Sequence, residues 1–200
     1  APMMKKLNLE LGGKDPLVVA PDVDLNMAVR ATAYAGLLNS GQVCTSSERI
    51  YVHESRFTQF SEELADFVAK LKLGDGLDET TDIGPLMRER FRLKIENELV
   101  AATAAGAKLL TGGGRPAYLP KGYFLEPAVL INVDHSMSVM RDETFGPLLP
   151  LMPYRDFDEA IALCNDTTMG LGASLLTHDA RLVKRFFDQV KAGTIWINDP

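Results

Sequence analysis

Apolar residues fall into two alternating patterns along this chain. Short continuous runs occur at Leu17-Val18-Val19-Ala20, Ile50-Tyr51-Val52, Ala173–Leu176 and Thr194–Ile197. Such runs read as strands buried on both faces. Between them, apolar residues recur at three- and four-residue steps. Leu25, Ala28, Val29 and Ala33 share one helix face behind Asp24, a side chain suited to an N-cap, and Asn39-Ser40-Gly41 stops that helix. Ser55 is expected to open a second helix carrying Phe57, Phe60, Leu64, Phe67, Val68 and Leu71, ended by Gly74. A third runs from about Arg88 to Ala105 with Phe91, Ile95 and Leu99 in line, and Gly106 closes it. Further helices are expected over 157–164 and 180–190.

The middle of the chain is less regular. Leu109-Leu110 reads as a brief strand, Gly112 to Gly122 as a loop, and Tyr123 to Val133 as an extended stretch interrupted by Pro127. Leu148 to Tyr154 is extended despite Pro150 and Pro153. Strands alternating with amphipathic helices predict βαβ units, hence an α/β fold with a mostly parallel twisted sheet flanked by helices.

Composition narrows the classes of function. The 200 residues are 46% hydrophobic and 24% charged, which is that of a globular domain and excludes a disordered or fibrous chain. A formal charge of −6 repels phosphate backbones, so no nucleic-acid partner is expected. No apolar run approaches the ~18 residues that argue for a membrane span, and Ala1-Pro2-Met3-Met4-Lys5-Lys6 has no signal-peptide core. Two cysteines make no disulfide framework and favour a reducing, cytoplasmic location. His53, His135 and His178 are scattered without metal-ligand spacing, so no metal site is expected.

Few residues suggest chemistry by themselves. Cys44 sits in Asn39-Ser40-Gly41-Gln42-Val43-Cys44-Thr45, a glycine-containing turn between a helix and a strand, where a thiol can act as nucleophile. Its alternative is a small buried hydrophobe. Cys164 follows Ile161 and Ala160 on an apolar helix face and reads as core. Glu10, in Glu10-Leu11-Gly12-Gly13-Lys14, is either a general base or a solvated turn residue. Glu143, before Phe145-Gly146-Pro147, reads as a solvated acidic turn. Gly112-Gly113-Gly114 and Gly170-Leu171-Gly172 match no phosphate-binding pattern.

Taken together, three segments resemble the NAD(P)-dependent aldehyde dehydrogenase superfamily, in the family's order. Leu9-Glu10-Leu11-Gly12-Gly13-Lys14 resembles its glutamate signature. Asn39 to Thr45 resembles its cysteine signature, at the family's separation from Glu10. Asp142-Glu143-Thr144-Phe145-Gly146-Pro147 resembles its acidic-x-Phe-Gly-Pro motif, with Asp142 where the family often has Glu. Gly193-Thr194-Ile195-Trp196-Ile197-Asn198 is a lesser echo.

The resemblance implies a fold and a mechanism. Residues 1–200 would form the family's catalytic domain, with the nucleotide-binding domain and the oligomerisation arm absent from this chain. Cys44 would attack an aldehyde to give a thiohemiacetal, its backbone N–H helping to hold the oxyanion. Hydride transfer to NAD or NADP would leave a thioester, and Glu10 would activate the water that hydrolyses it. Glu143 would hold the nicotinamide ribose, Phe145 would pack beside the ring and Leu11 would lie near it. The parent is expected to be a homo-oligomer acting on a small aldehyde. The isolated domain is expected neither to bind the cofactor nor to turn over. Two alternatives stay open. One is a non-catalytic relative that keeps the fold, and the other is a cysteine hydrolase or esterase pairing Cys44 with His53.

Overall fold

The computed structural model describes residues 6–199. Its order is β1 (Asp15–Val19), α1 (Leu25–Leu37), a 3₁₀ turn (Leu38–Gly41), β2 (Ser47–His53), α2 (Glu54–Val68), α3 (Glu89–Ala104), β3 (Lys108–Thr111), β4 (Ala128–Ile131), α4 (Ser138–Arg141), β5 (Leu148–Tyr154), α5 (Phe157–Asn165), β6 (Gly172–Leu176), α6 (Ala180–Gln189) and β7 (Thr194–Ile197). The strands form one sheet in the order β3-β4-β5-β2-β1-β6-β7. Every pairing is parallel except β3 with β4, at one edge.

The twofold alternation of strand side chains divides the core in two. Leu17, Val19, Ile50, Val52, Leu149, Leu151 and Leu176 pack under α1 and α2. Val18, Tyr51, Leu130, Leu148, Ala173 and Leu175 pack on the other face, with Ile95 of α3, Val139 of α4, Cys164 of α5 and Phe186 of α6. Burial on both faces explains why β1, β2 and β6 are continuous apolar runs rather than alternating ones. Cys164 is buried as expected, and desolvation pushes its thiol up to about 12.

Several boundaries differ from the sequence expectation. Asp24 does cap α1, accepting from the Met27 N–H at 2.8 Å. For α2 the cap is His53, not Ser55: its Nδ1 accepts from the Ser55 N–H. That helix stops at Val68, and Gly74 belongs to the following loop, tied back by its N–H to the Ile83 carbonyl. Of the extended stretch 123–133, only Ala128–Ile131 finds strand partners. The helix α4 is four residues long, too short to leave a periodic signal. Pro150 and Pro153 lie inside β5, a central strand, although proline removes a ladder donor.

The topology places the segments of interest together. Residues 10–14 lead into β1, Cys44 into β2, 142–147 into β5 and 170–171 into β6. All lie at the amino ends of parallel strands, the edge opposite to the one where open α/β sheets ordinarily hold ligands. Among the described residues, no helix is long and apolar enough to cross a membrane.

Candidate active site

The turn that carries Cys44 is built by an unusual backbone. Asn39, Ser40 and Gly41 have φ values of 51°, 60° and 70°, three left-handed residues in succession. Asparagine and glycine tolerate this region, and serine does so at a cost. The surroundings hold it in place. Ser40 Oγ donates to the Gly84 carbonyl at 2.8 Å, and Gln42 Oε1 accepts from the Met87 N–H at 2.8 Å. Ser46 N–H closes the turn onto the Val43 carbonyl at 3.0 Å, and Ser46 Oγ reaches the Gly36 carbonyl at the end of α1. Cys44 itself is exposed.

Three glycines let the three segments touch. A Cβ on Gly13 would stand 2.6 Å from the Cys44 carbonyl oxygen. One on Gly12 would stand 2.4 Å from Glu143 Oε1, and one on Gly41 would stand 2.3 Å from the Gly146 carbonyl oxygen. All three distances are shorter than real Cβ contacts; at Gly13 and Gly41 the atoms met are backbone and cannot yield, while at Gly12 a side chain would displace the Glu143 carboxylate. The Gly13 N–H also donates to Glu143 Oε1 at 3.3 Å. Glu143 is therefore half-buried against Gly12-Gly13, not the solvated turn residue its sequence context suggests. Phe145 is half-buried, with its ring centroid 6.3 Å from that of Phe91. Glu10 and Leu11 are exposed, and Glu10 accepts from Asn8 Nδ2 at 3.4 Å.

Beneath these contacts lies a layer of buried charge. Lys14 and Glu48 form an ion pair at 2.8 Å, both almost fully buried. Burial pushes the Lys14 ammonium below its ordinary pKa, and Glu48 opposes that shift. Glu98 of α3, beside Lys94 and Thr144, is raised by burial. Arg49 is fully buried and donates to the carbonyls of Lys14, Leu163 and Cys164. The sequence offers Lys14 and Thr144 only as members of motifs, and it does not point to the roles of Glu48, Arg49 and Asp15. One signal was available: Glu48-Arg49 stands directly before the apolar run of β2, and charges at the head of a buried strand require partners.

Asp15 is the most perturbed carboxyl. It is 2% exposed and its Oδ2 has no hydrogen-bond partner. Desolvation raises it to about 7, opposed by the Gly172 backbone N–H and by Arg49. The folded-state value lies above that of the unfolded chain, so stability is greatest where Asp15 is neutral and falls as pH rises through 7. The loss runs from about pH 4, where the unfolded carboxyl ionises, to about pH 7 and levels off above; between about pH 5.5 and about pH 7.5 it is on the order of 2 kcal/mol. Urea unfolding of Asp15→Asn should lose that part of the pH slope. An unchanged slope would show that another group carries it.

The histidines do not serve Cys44. His53 lies at the far end of β2, ~20 Å along the strand from Ser47 at ordinary strand rise. His135 is held between Tyr51 Oη (2.8 Å) and Asp166 Oδ2 (2.6 Å), and His178 follows β6 at the carboxyl edge. The pairing of Cys44 with His53 is thereby contradicted. Among the described residues, no group of histidine, cysteine and acidic side chains could hold a metal ion.

A family model described as "Aldehyde dehydrogenase family" matches residues 1–200. The chain is 39% identical to a peroxisomal aminoaldehyde dehydrogenase 1 of Pisum sativum, over 99% of this chain and 39% of that protein. It is also 39% identical to a betaine aldehyde dehydrogenase of Brucella anthropi, over 98% of this chain and 40% of that protein. A betaine aldehyde dehydrogenase of Staphylococcus aureus, solved in complex with NAD+, superposes with a TM-score of 0.93 at 39% identity, covering 96% of this chain and 38% of that one. The chain thus spans about two fifths of the length of the relatives it matches.

Proposed function

The chain belongs to the aldehyde dehydrogenase family, and from that premise we propose that residues 1–200 are the cysteine-bearing catalytic domain of an enzyme oxidising an aldehyde to a carboxylic acid with NAD or NADP. The observation that carries the reading is the meeting of three distant segments at one sheet edge. Gly13 lies against the Cys44 carbonyl, Gly12 against Glu143, and Gly41 against Gly146.

On this reading the exposed Cys44 thiol attacks the aldehyde carbon, and its own backbone N–H helps hold the oxyanion of the thiohemiacetal. Glu10, in solvent ahead of Gly12-Gly13, takes the proton from the water that hydrolyses the resulting thioester. A bound nicotinamide supplies the hydride acceptor. The residues present fit such a group: the half-buried Glu143 carboxylate, packed on Gly12, is an acceptor suited to ribose hydroxyls, and the half-buried Phe145 ring two residues on is an apolar surface for the nicotinamide. Leu11, exposed beside them, offers an apolar contact. The rest of the cofactor, the subunit contacts and much of the substrate pocket belong to parts of the enzyme outside these residues. Aminoaldehydes and betaine aldehyde, named for the relatives, are the substrates to try first. One exposed and one buried free cysteine suit a reducing compartment such as the cytoplasm.

Iodoacetamide labelling followed by mass spectrometry tests this. Cys44 is expected to react at least ~100-fold faster than buried Cys164. Betaine aldehyde should slow that labelling by reversible addition to the thiol, whereas betaine should not. Equal labelling of the two cysteines would remove Cys44 from its role. The chain alone with aldehyde and NAD should yield no NADH, because the reaction needs both partners held together.

A further inference from the structure

Glu48 stands at the head of β2, four residues past Cys44, and is 2% exposed. Its Oε1 accepts from the Phe145 N–H at 2.7 Å, and its Oε2 accepts from the Thr144 N–H at 2.7 Å and from Lys14 Nζ at 2.8 Å. Lys14 Nζ also donates to Thr144 Oγ1 at 3.1 Å. From the other side, Lys94 of α3 donates to the carbonyl oxygens of Glu143 and Thr144. The backbone of this loop is thus gripped at both its N–H and its C=O groups. It needs to be, because Phe145 has a φ of 55°, a left-handed conformation that a bulky residue rarely keeps unless its surroundings impose it.

We propose that Glu48 is a positioning residue for the cofactor contact: its carboxylate fixes the Thr144–Phe145 backbone against the strand that follows Cys44, and so sets where Glu143 and Phe145 stand relative to the nucleophile. The proposal rests on the roles given above to Glu143 and Phe145. It ties both halves of the chemistry to one strand. The strand that begins at the nucleophile turn carries, at its second residue, the acceptor for the cofactor-facing loop. Carboxylates accepting backbone N–H groups make strong, directional bonds, and rigid support of this kind keeps a site within the tolerance that catalysis requires.

A lesser role is that Glu48 only neutralises Lys14. The two are separated by the paired variant Lys14→Met/Glu48→Gln, which leaves no buried charge unmatched, studied by backbone amide hydrogen exchange in the 200-residue chain. Under the positioning role, Thr144 and Phe145 amides exchange about thirtyfold faster in the paired variant, while Leu17 and Ile50 in β1 and β2 stay within about threefold. Glu48→Asp, which keeps the charge on a shorter stem, should recover part of the protection. Unchanged exchange at Thr144 and Phe145 in the paired variant would overturn the proposal, and so would equal acceleration at all four amides. The labelling ratio of Cys44 to Cys164 is read independently, so failure of the positioning role and failure of the functional reading give different results.

Discussion

Arg49→Met is expected to destabilise the fold by about 3–5 kcal/mol, among the largest effects of any single substitution in this chain. Arg49 is fully buried, and its guanidinium is spent on protein acceptors. Nε donates to the Lys14 carbonyl at 2.8 Å, Nη1 to the Leu163 carbonyl at 3.0 Å and to Tyr51 Oη at 3.2 Å, and Nη2 to the Cys164 carbonyl at 3.0 Å. These bonds join β2 to the start of β1 and to the last turn of α5. Methionine fills similar length but donates nothing, so buried carbonyls lose their partner and Asp15 loses the favourable charge of Arg49. Urea unfolding at constant m-value measures the loss. A change below about 1 kcal/mol would mean that other donors take over the carbonyls.

Gly41→Ala is expected to cost about 3 kcal/mol, through two effects that add. A φ of 70° strains any residue with a Cβ by roughly 1–2 kcal/mol. The new Cβ would also fall 2.3 Å from the Gly146 carbonyl oxygen and 2.5 Å from its carbon, both backbone atoms with no rotamer to relieve the contact. Overpacking of this kind adds roughly 1–3 kcal/mol. In a thermal melt of a chain this size the total corresponds to a midpoint lower by about 10 °C. A drop of only a degree or two would show that the 146–147 segment gives way easily. In that case the contact between the cysteine turn and the Glu143–Gly146 segment is not a rigid one.

How much of this was legible beforehand depends on the kind of interaction. Leu17 to Ala20 and Ile50 to Val52 declare themselves because strands buried on both faces must be apolar throughout, and Asp24 because a cap is a local bond. The helix expected to open at Ser55 starts one residue earlier, at Glu54, because His53 caps it with a ring nitrogen, an unusual choice that the sequence pattern does not signal. Tyr123 to Val133 looked extended throughout, yet strand formation needs partners, and only Ala128–Ile131 have them. The chemistry of the site was legible only through the family's three motifs. Nothing local to Glu10, Cys44 or Glu143 says that their segments meet, since that depends on strand order. Glu48 and Asp15 were missed for the same reason. A buried carboxylate is defined by what faces it, and Glu48 faces Thr144 and Phe145 from the far side of the chain.

The choice of sheet edge has an electrostatic consequence. In a parallel α/β unit each helix runs back against its strands, so α1, α4, α5 and α6 all finish where β2, β5, β6 and β7 begin. The negative ends of their macrodipoles, and their unpaired carbonyls, therefore gather around the Cys44 edge. The groups found there answer to that field: Ser46 reaches the Gly36 carbonyl at the end of α1, and Arg49 takes the Leu163 and Cys164 carbonyls of α5. Such an edge welcomes cations and repels phosphate, the reverse of a helix-start anion cradle. A cation nearing Cys44 thus moves down a favourable gradient, and a phosphate against one.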